Sequence, residues 1–99
     1  MHVGFLQISV FIPYAENLKQ KRSVVRSILG KVNSNFNVSA AEVGDNELWQ
    51  RSKLGFALVG NDARFVESKL DKLLNYIEEN IGGQIVDVQK SVESFEGGR

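Results

Sequence analysis

Polar and apolar positions alternate from the start of the chain. Over residues 3–12, Leu6, Ile8, Val10 and Ile12 point one way, and Phe5, Gln7, Ser9 and Phe11 the other. A period of two predicts a strand with one face in a core. Pro13 ends it, because proline has no ladder donor and restricts its predecessor. The period then changes. Leu18, Val25, Ile28, Leu29 and Val32 follow helical spacing, behind a cap at Asn17 with Gln20 three residues on, where a capping-box partner belongs. Residues 36–43 read as a second strand with Phe36, Val38, Ala40 and Glu42 on one side, and residues 44–47, Gly-Asp-Asn-Glu, as a turn. A third strand is expected over 48–60, with Leu54, Phe56 and Leu58 alternating against Lys53, Gly55, Ala57 and Val59. Asp62 caps a second helix with Val66, Leu70, Leu73, Leu74 and Ile77 on one stripe. Gly82 and Gly83 close it, residues 85–92 form a last strand, and residues 96–99 read as a frayed tail.

The order βαββαβ in one short domain, residues 1–95, predicts an α+β fold, the ferredoxin-like plait. This is a four-stranded antiparallel sheet in strand order 4-1-3-2, with two helices, at about 17–33 and 62–80, on one face. Leu6, Ile8, Val10, Leu29, Phe56, Leu70 and Leu74 should be buried together. Phe5 and Phe11 then lie on the opposite sheet face with Lys53, Gly55, Ala57 and Val59. That face is too apolar to be left wholly to water, so a homodimer is expected to cover part of it.

Composition narrows the function classes. The 99 residues hold 12 Lys plus Arg, 12 Asp plus Glu and no Cys. Thiolate chemistry and disulfides are excluded, and no global field draws the chain to nucleic acid or membrane. No apolar run approaches the roughly 20 residues of a membrane span, and no signal peptide pattern precedes the first strand. The expectation is a cytoplasmic protein that makes no membrane contact.

Charge is informative locally. Lys19, Lys21, Arg22 and Arg26, with Lys31 further on, give residues 17–33 five positive charges and no acid. Cations at a helix start oppose the macrodipole at about 0.3–1 kcal/mol each. A fold gains nothing from them there, whereas free N–H groups plus Lys and Arg suit a phosphate. Lys19, Lys21, Arg22 and Arg26 are therefore the candidate anion or RNA ligands, with Lys19, Arg22 and Arg26 in a row. The competing structural reading is a solvated face with one or two of these cations paired to Glu16 or Glu42. Trp49, Arg51 and Glu42 are a further candidate surface. Trp49 is expected to lid the end of the core, and Arg51 to pair with Glu42 or Glu47 across the hairpin.

Catalytic chemistry finds no foothold. His2 is the only histidine and stands at a terminus, and Asp45 and Glu47 in a turn are more often solvated than metal-binding. There is no phosphate-cradling glycine loop or nucleophile elbow. Acylphosphatases share this size and plait, but residues 13–16, Pro-Tyr-Ala-Glu, replace their glycine-rich loop. Residues 55–59, Gly-Phe-Ala-Leu-Val, are only loosely like the third-strand signature of RNA-recognition modules, with Leu58 where a stacking aromatic belongs. No enzyme, metal or cofactor is expected.

One combination is specific. Leu18, Lys19, Lys21 and Arg22, then Glu42 and Val43, then Trp49, Gln50 and Arg51 strongly resemble the bacterial YlxP-like family, catalogued as a domain of unknown function, over nearly the whole chain. The resemblance implies a ferredoxin-like fold and offers no established activity or catalytic residues. It also implies, through gene neighbours in translation initiation and ribosome maturation, a link to RNA or ribosomal components. The leading expectation is a non-enzymatic RNA- or ribosome-associated module that contacts phosphate through its first helix. The alternative is a dimeric ligand-sensing or scaffolding domain of the regulatory plait type, with an anionic metabolite near Lys19 and Arg22.

Overall fold

The computed structural model describes residues 1–81 and 83–96. The chain runs β1 (His2–Phe11), α1 (Leu18–Asn35), β2 (Ser39–Gly44), β3 (Arg51–Gly60), α2 (Ala63–Asn80) and β4 (Gln84–Ser94). The strands form one antiparallel sheet in the order β2-β3-β1-β4, as expected for the ferredoxin-like plait. The alternation in β1 decides the layering. Leu6, Ile8 and Val10 pack against helix residues Val25, Ile28, Val32, Val66, Leu70, Leu73 and Ile77, all essentially out of water. Leu29 and Leu74, expected at the centre, are only partly buried at its margin.

Both helices begin where their caps direct. The Asn17 side chain accepts from the Gln20 N–H at 2.9 Å, and Asp62 accepts from the Arg64 N–H at 2.9 Å. Gln20 reaches back one residue further than in a capping box, its Oε1 accepting the Glu16 N–H at 2.7 Å. The starts of β2 and β3 and the extent of β4 differ most from expectation. Phe36 leaves the sheet to close α1, its N–H donating to the Val32 carbonyl at 2.8 Å and its ring meeting Tyr76 edge-on at 5.4 Å. β2 therefore starts at Ser39. β3 starts at Arg51 rather than 48, because residues 45–50 are held in a turn by Asp45 at φ 58° and by a Leu48 N–H bond to the Asp45 carbonyl at 3.0 Å. β4 is longer than expected. At its far end the Phe95 N–H donates to the Met1 carbonyl at 2.7 Å and His2 Nδ1 bonds Ser94 Oγ at 2.7 Å. Gly82 and most of the expected tail, residues 97–99, lie outside the described residues.

Two close approaches require glycine. A Cβ on Gly4 would stand 2.6 Å from Val66 Cγ1 and 3.0 Å from Leu70 Cδ1, so α2 lies directly on β1 there. A Cβ on Gly83 would strike the Phe11 carbonyl oxygen. β4 is also tied to α2 by Lys90 and Asp71 at 2.7 Å. The Asp71 hydrogen bond raises the Lys90 pKa above its ordinary 10.5. This surface tie therefore holds at neutral pH and is lost only as pH rises through the folded-state value, at small cost.

Because α2 leaves no room at Gly4, Gly4→Ala should destabilise the domain by about 1–3 kcal/mol, the usual cost of overpacking. Urea unfolding measures this, and a change under about 0.5 kcal/mol would show that α2 shifts freely on the sheet.

Candidate functional site

The cations of α1 divide into two groups by helical phase. Lys21 is four residues before Val25, seven before Ile28 and eleven before Val32, which is the phase of the buried stripe. It is completely buried. Its Nζ donates to Glu42 Oε2 at 2.7 Å and to the carbonyls of Asp45 at 2.9 Å, Asn46 at 3.1 Å and Arg51 at 3.2 Å. Three ammonium protons are thus shared among four oxygens. Glu42 Oε2 also accepts from Ser52 Oγ at 2.6 Å, and Ser52 is buried too. Lys21 is therefore no exposed phosphate ligand. It belongs to a buried ionic cluster joining α1 to the β2–β3 hairpin, which bears out the competing expectation of a Glu42 pair.

Glu42 is likewise withdrawn from the surface, its side chain 15% exposed. The register places it inward, opposite Leu54, and an irregularity between Glu42 and Gly44 puts Val43 and Gly44 on the other face. With Glu42 occupied, Arg51 does not pair with it. Among the described residues the ion pairs are Lys21–Glu42 and Lys90–Asp71, and the Arg51 side chain is exposed. Only its carbonyl enters the cluster.

Lys19, Arg22 and Arg26 are all exposed. At 3.6 residues per turn they fall within an arc of about 60°, roughly 100–160° around the helix from Lys21, and rise about 10 Å along the axis. α1 contains no Asp or Glu to neutralise them. The structure thus keeps the expected row and removes Lys21 from it.

Trp49 does not cover the core; it is 55% exposed, with Leu48 at 48% beside it. Ile12, Ala15 and Lys21, which neighbour this loop through hydrogen bonds, are the buried residues there. The loop that shows Trp49 is nevertheless firmly held. Gln50 Nε2 donates to the carbonyls of Pro13 at 3.0 Å and Ala15 at 3.3 Å, and the Ile12 N–H donates to the Gln50 carbonyl at 2.8 Å. On the other side Lys21 holds Asp45, Asn46 and Arg51. Phe11, Leu48, Trp49 and Arg51 line an open groove of about 610 Å³ there. The exposed tryptophan and the start of the basic helix are therefore joined through one hydrogen-bonded junction. Among the described residues no group of three or more His, Cys, Asp or Glu is placed to hold a metal, and no helix is long and apolar enough to cross a membrane.

The protein is thus a ferredoxin-like plait whose first helix is bolted to the β2–β3 hairpin by a buried Lys–Glu pair and carries an acid-free row of cations outward. The chain belongs to the family described as "Protein of unknown function (DUF503)", whose model matches residues 3–90. A relative from Bacillus subtilis (strain 168), "Uncharacterized protein YlxP", is 37% identical over 76 residues, covering 77% of this chain and 83% of the relative.

The cluster can be tested by taking it apart. Lys21→Met strands the Glu42 carboxylate and three carbonyls, and should cost about 3–5 kcal/mol in urea unfolding. Adding Glu42→Leu to that variant should recover a large part of the loss, because the pair removed together leaves no unpaired charge. Single variants costing less than about 1 kcal/mol would show the cluster to be open to water.

Proposed function

We propose that this domain is an RNA-binding module, associated with ribosomal or other ribonucleoprotein RNA, that grips backbone phosphate with Lys19, Arg22 and Arg26. The observation that carries the reading is the exposed, acid-free row on α1. Lys19, in the first turn of α1, opposes the helix dipole, and none of the three has an ion-pair partner among the described residues. Their placement gains nothing for stability and suits a polyanion. The row lies on the convex side of a helix, whereas a small anionic metabolite is usually enclosed in a concave site. This favours spaced phosphates over the ligand-sensing alternative. Trp49 supports the same reading. An aromatic held exposed by a rigid loop offers a face for an unpaired base at little ordering cost, and such stacking is worth about 1–3 kcal/mol per base.

Ionic strength tests the row. For a single-stranded oligoribonucleotide, three phosphate contacts contribute about −2 to the slope of log affinity against log salt. Replacing Lys19, Arg22 and Arg26 by Gln should flatten the slope by about that amount and leave the melting temperature equal or slightly higher, because repulsion at the helix start is relieved. An unchanged slope with a melting point several degrees lower would make these residues structural and overturn the proposal.

Trp49 supplies a second measurement, since it is the only tryptophan. Stacking should quench its fluorescence on addition of single-stranded RNA, and Trp49→Ala should weaken binding by about 5- to 100-fold. RNA bound with full affinity by the Ala variant would remove Trp49 from the interface and leave the phosphate row standing.

A further inference from the structure

The sheet face turned away from the helices is assigned no role by the cation row or the tryptophan loop. Its side chains lie in register across the strands. Phe5 is flanked by Ala57 on β3 and Ser91 on β4, Gln7 by Gly55 and Gln89, and Ser9 by Lys53 and Asp87. Phe5, 45% exposed, thus stands on the central strand between small neighbours, along a groove of about 630 Å³. Charge on this face is divided by strand. Arg51 and Lys53 are on β3, and Asp87 and Glu93 are on β4.

We infer that this face pairs with the same face of a second copy, about a two-fold axis lying along β1. Such an axis superposes β3 of one copy on β4 of its partner while each row keeps its level. Ser9 is the register partner of both Lys53 and Asp87, so the axis brings each Lys53 opposite an Asp87 of the other copy, twice. It also brings the two Phe5 rings together at the centre, and sets Ala57 against Ser91 and Gly55 against Gln89. Stacked sheets lie about 10 Å apart, a gap that a lysine and an aspartate reaching from opposite sides can close. An isologous contact needs this kind of self-complementarity, the same patch presenting both halves of each pair. A mixed basic and acidic surface also suits a copy of itself better than a polyanion.

The area is adequate for a weak dimer. About this axis β3, β1 and β4 overlap and β2 lies outside the contact, so three strands about 4.8 Å apart and about ten residues long present roughly 480 Å² per copy. The usual specific interface takes about 800 Å² per partner, so a weak, concentration-dependent dimer is expected. With both helices on the far side of each sheet, the two cation rows would face outward from the dimer, unobstructed.

Analytical ultracentrifugation of the full chain from about 1 to 500 µM tests the inference. The mass should rise from 11.0 kDa toward twice that value across the range. Phe5→Glu should hold the protein monomeric, with circular dichroism confirming its fold. Lys53→Asp alone and Asp87→Lys alone should each weaken association by about tenfold, and the double swap should restore it. A monomer throughout would overturn the inference. So would a dimer indifferent to these variants, which would place the contact elsewhere, or singles that weaken a dimer the double swap fails to restore. Loss of RNA retention by monomeric Phe5→Glu, with no dimer in the unmodified chain, would assign the face to RNA and overturn it as well.

Discussion

The ammonium of Lys21 has no contact with water, and the whole end of the molecule where α1 meets the hairpin is arranged around it. An ion of that size loses several kcal/mol of hydration on burial, which only close pairing and further hydrogen bonds can offset. The fold supplies both. Glu42 brings the opposite charge, and Asp45, Asn46 and Arg51 turn their carbonyls inward. Such a cluster adds little net stability over a well-packed apolar one, but its geometry is demanding. It has one distance and one orientation between helix and hairpin, where a patch of leucines would tolerate several. The positive φ at Asp45 fits the same demand, because the turn must present two successive residues' carbonyls to one ammonium.

Two surface features follow from that junction. With Lys21 turned inward, helical phase turns Lys19, Arg22 and Arg26 outward together, so one buried cation orients three exposed ones. With residues 45 and 46 held from within and Gln50 held by the Pro13 and Ala15 carbonyls, the intervening loop has little freedom. Leu48 and Trp49 project from it because the backbone on both sides is fixed, while the core end behind them is already filled. The outer sheet face meets this junction only at Phe11 and Arg51. Its character comes from the other half of the strand alternation and from glycine and alanine on β3.

The sequence alone determined the architecture. Periods of two and 3.6, punctuated by Asn17, Pro13 and Asp62, are local signals, and they order the elements and choose which face of each is apolar. Once βαββαβ is known, the rules of chain connection leave few topologies, which is why the strand order was also legible. The resemblance to a family of unknown function was legible for a similar reason, being a property of residue order. Boundaries were less so. Phe36 alternates correctly with Val38 and Ala40 yet ends a helix, because the Val32 carbonyl and the Tyr76 ring, both set by packing, claim it first.

What only the tertiary structure decided is the division of labour among like charges. Lys19, Lys21 and Arg22 look alike as a run. The phase linking Lys21 to Val25, Ile28 and Val32, and Glu42 to Phe36, Val38 and Ala40, was already present in the sequence. Yet a lysine in phase with an apolar stripe can bury its charge or extend its stem to water. The choice depends on whether a carboxylate and three carbonyls, between 21 and 30 residues further along the chain, converge on the same point. Trp49 is the same case inverted. Its size suggested a lid, but Trp49 stands largely in water while Ile12, Ala15 and Lys21 are buried. Burial of a single side chain is settled by competition for volume among distant segments, and that competition exists only in the folded chain.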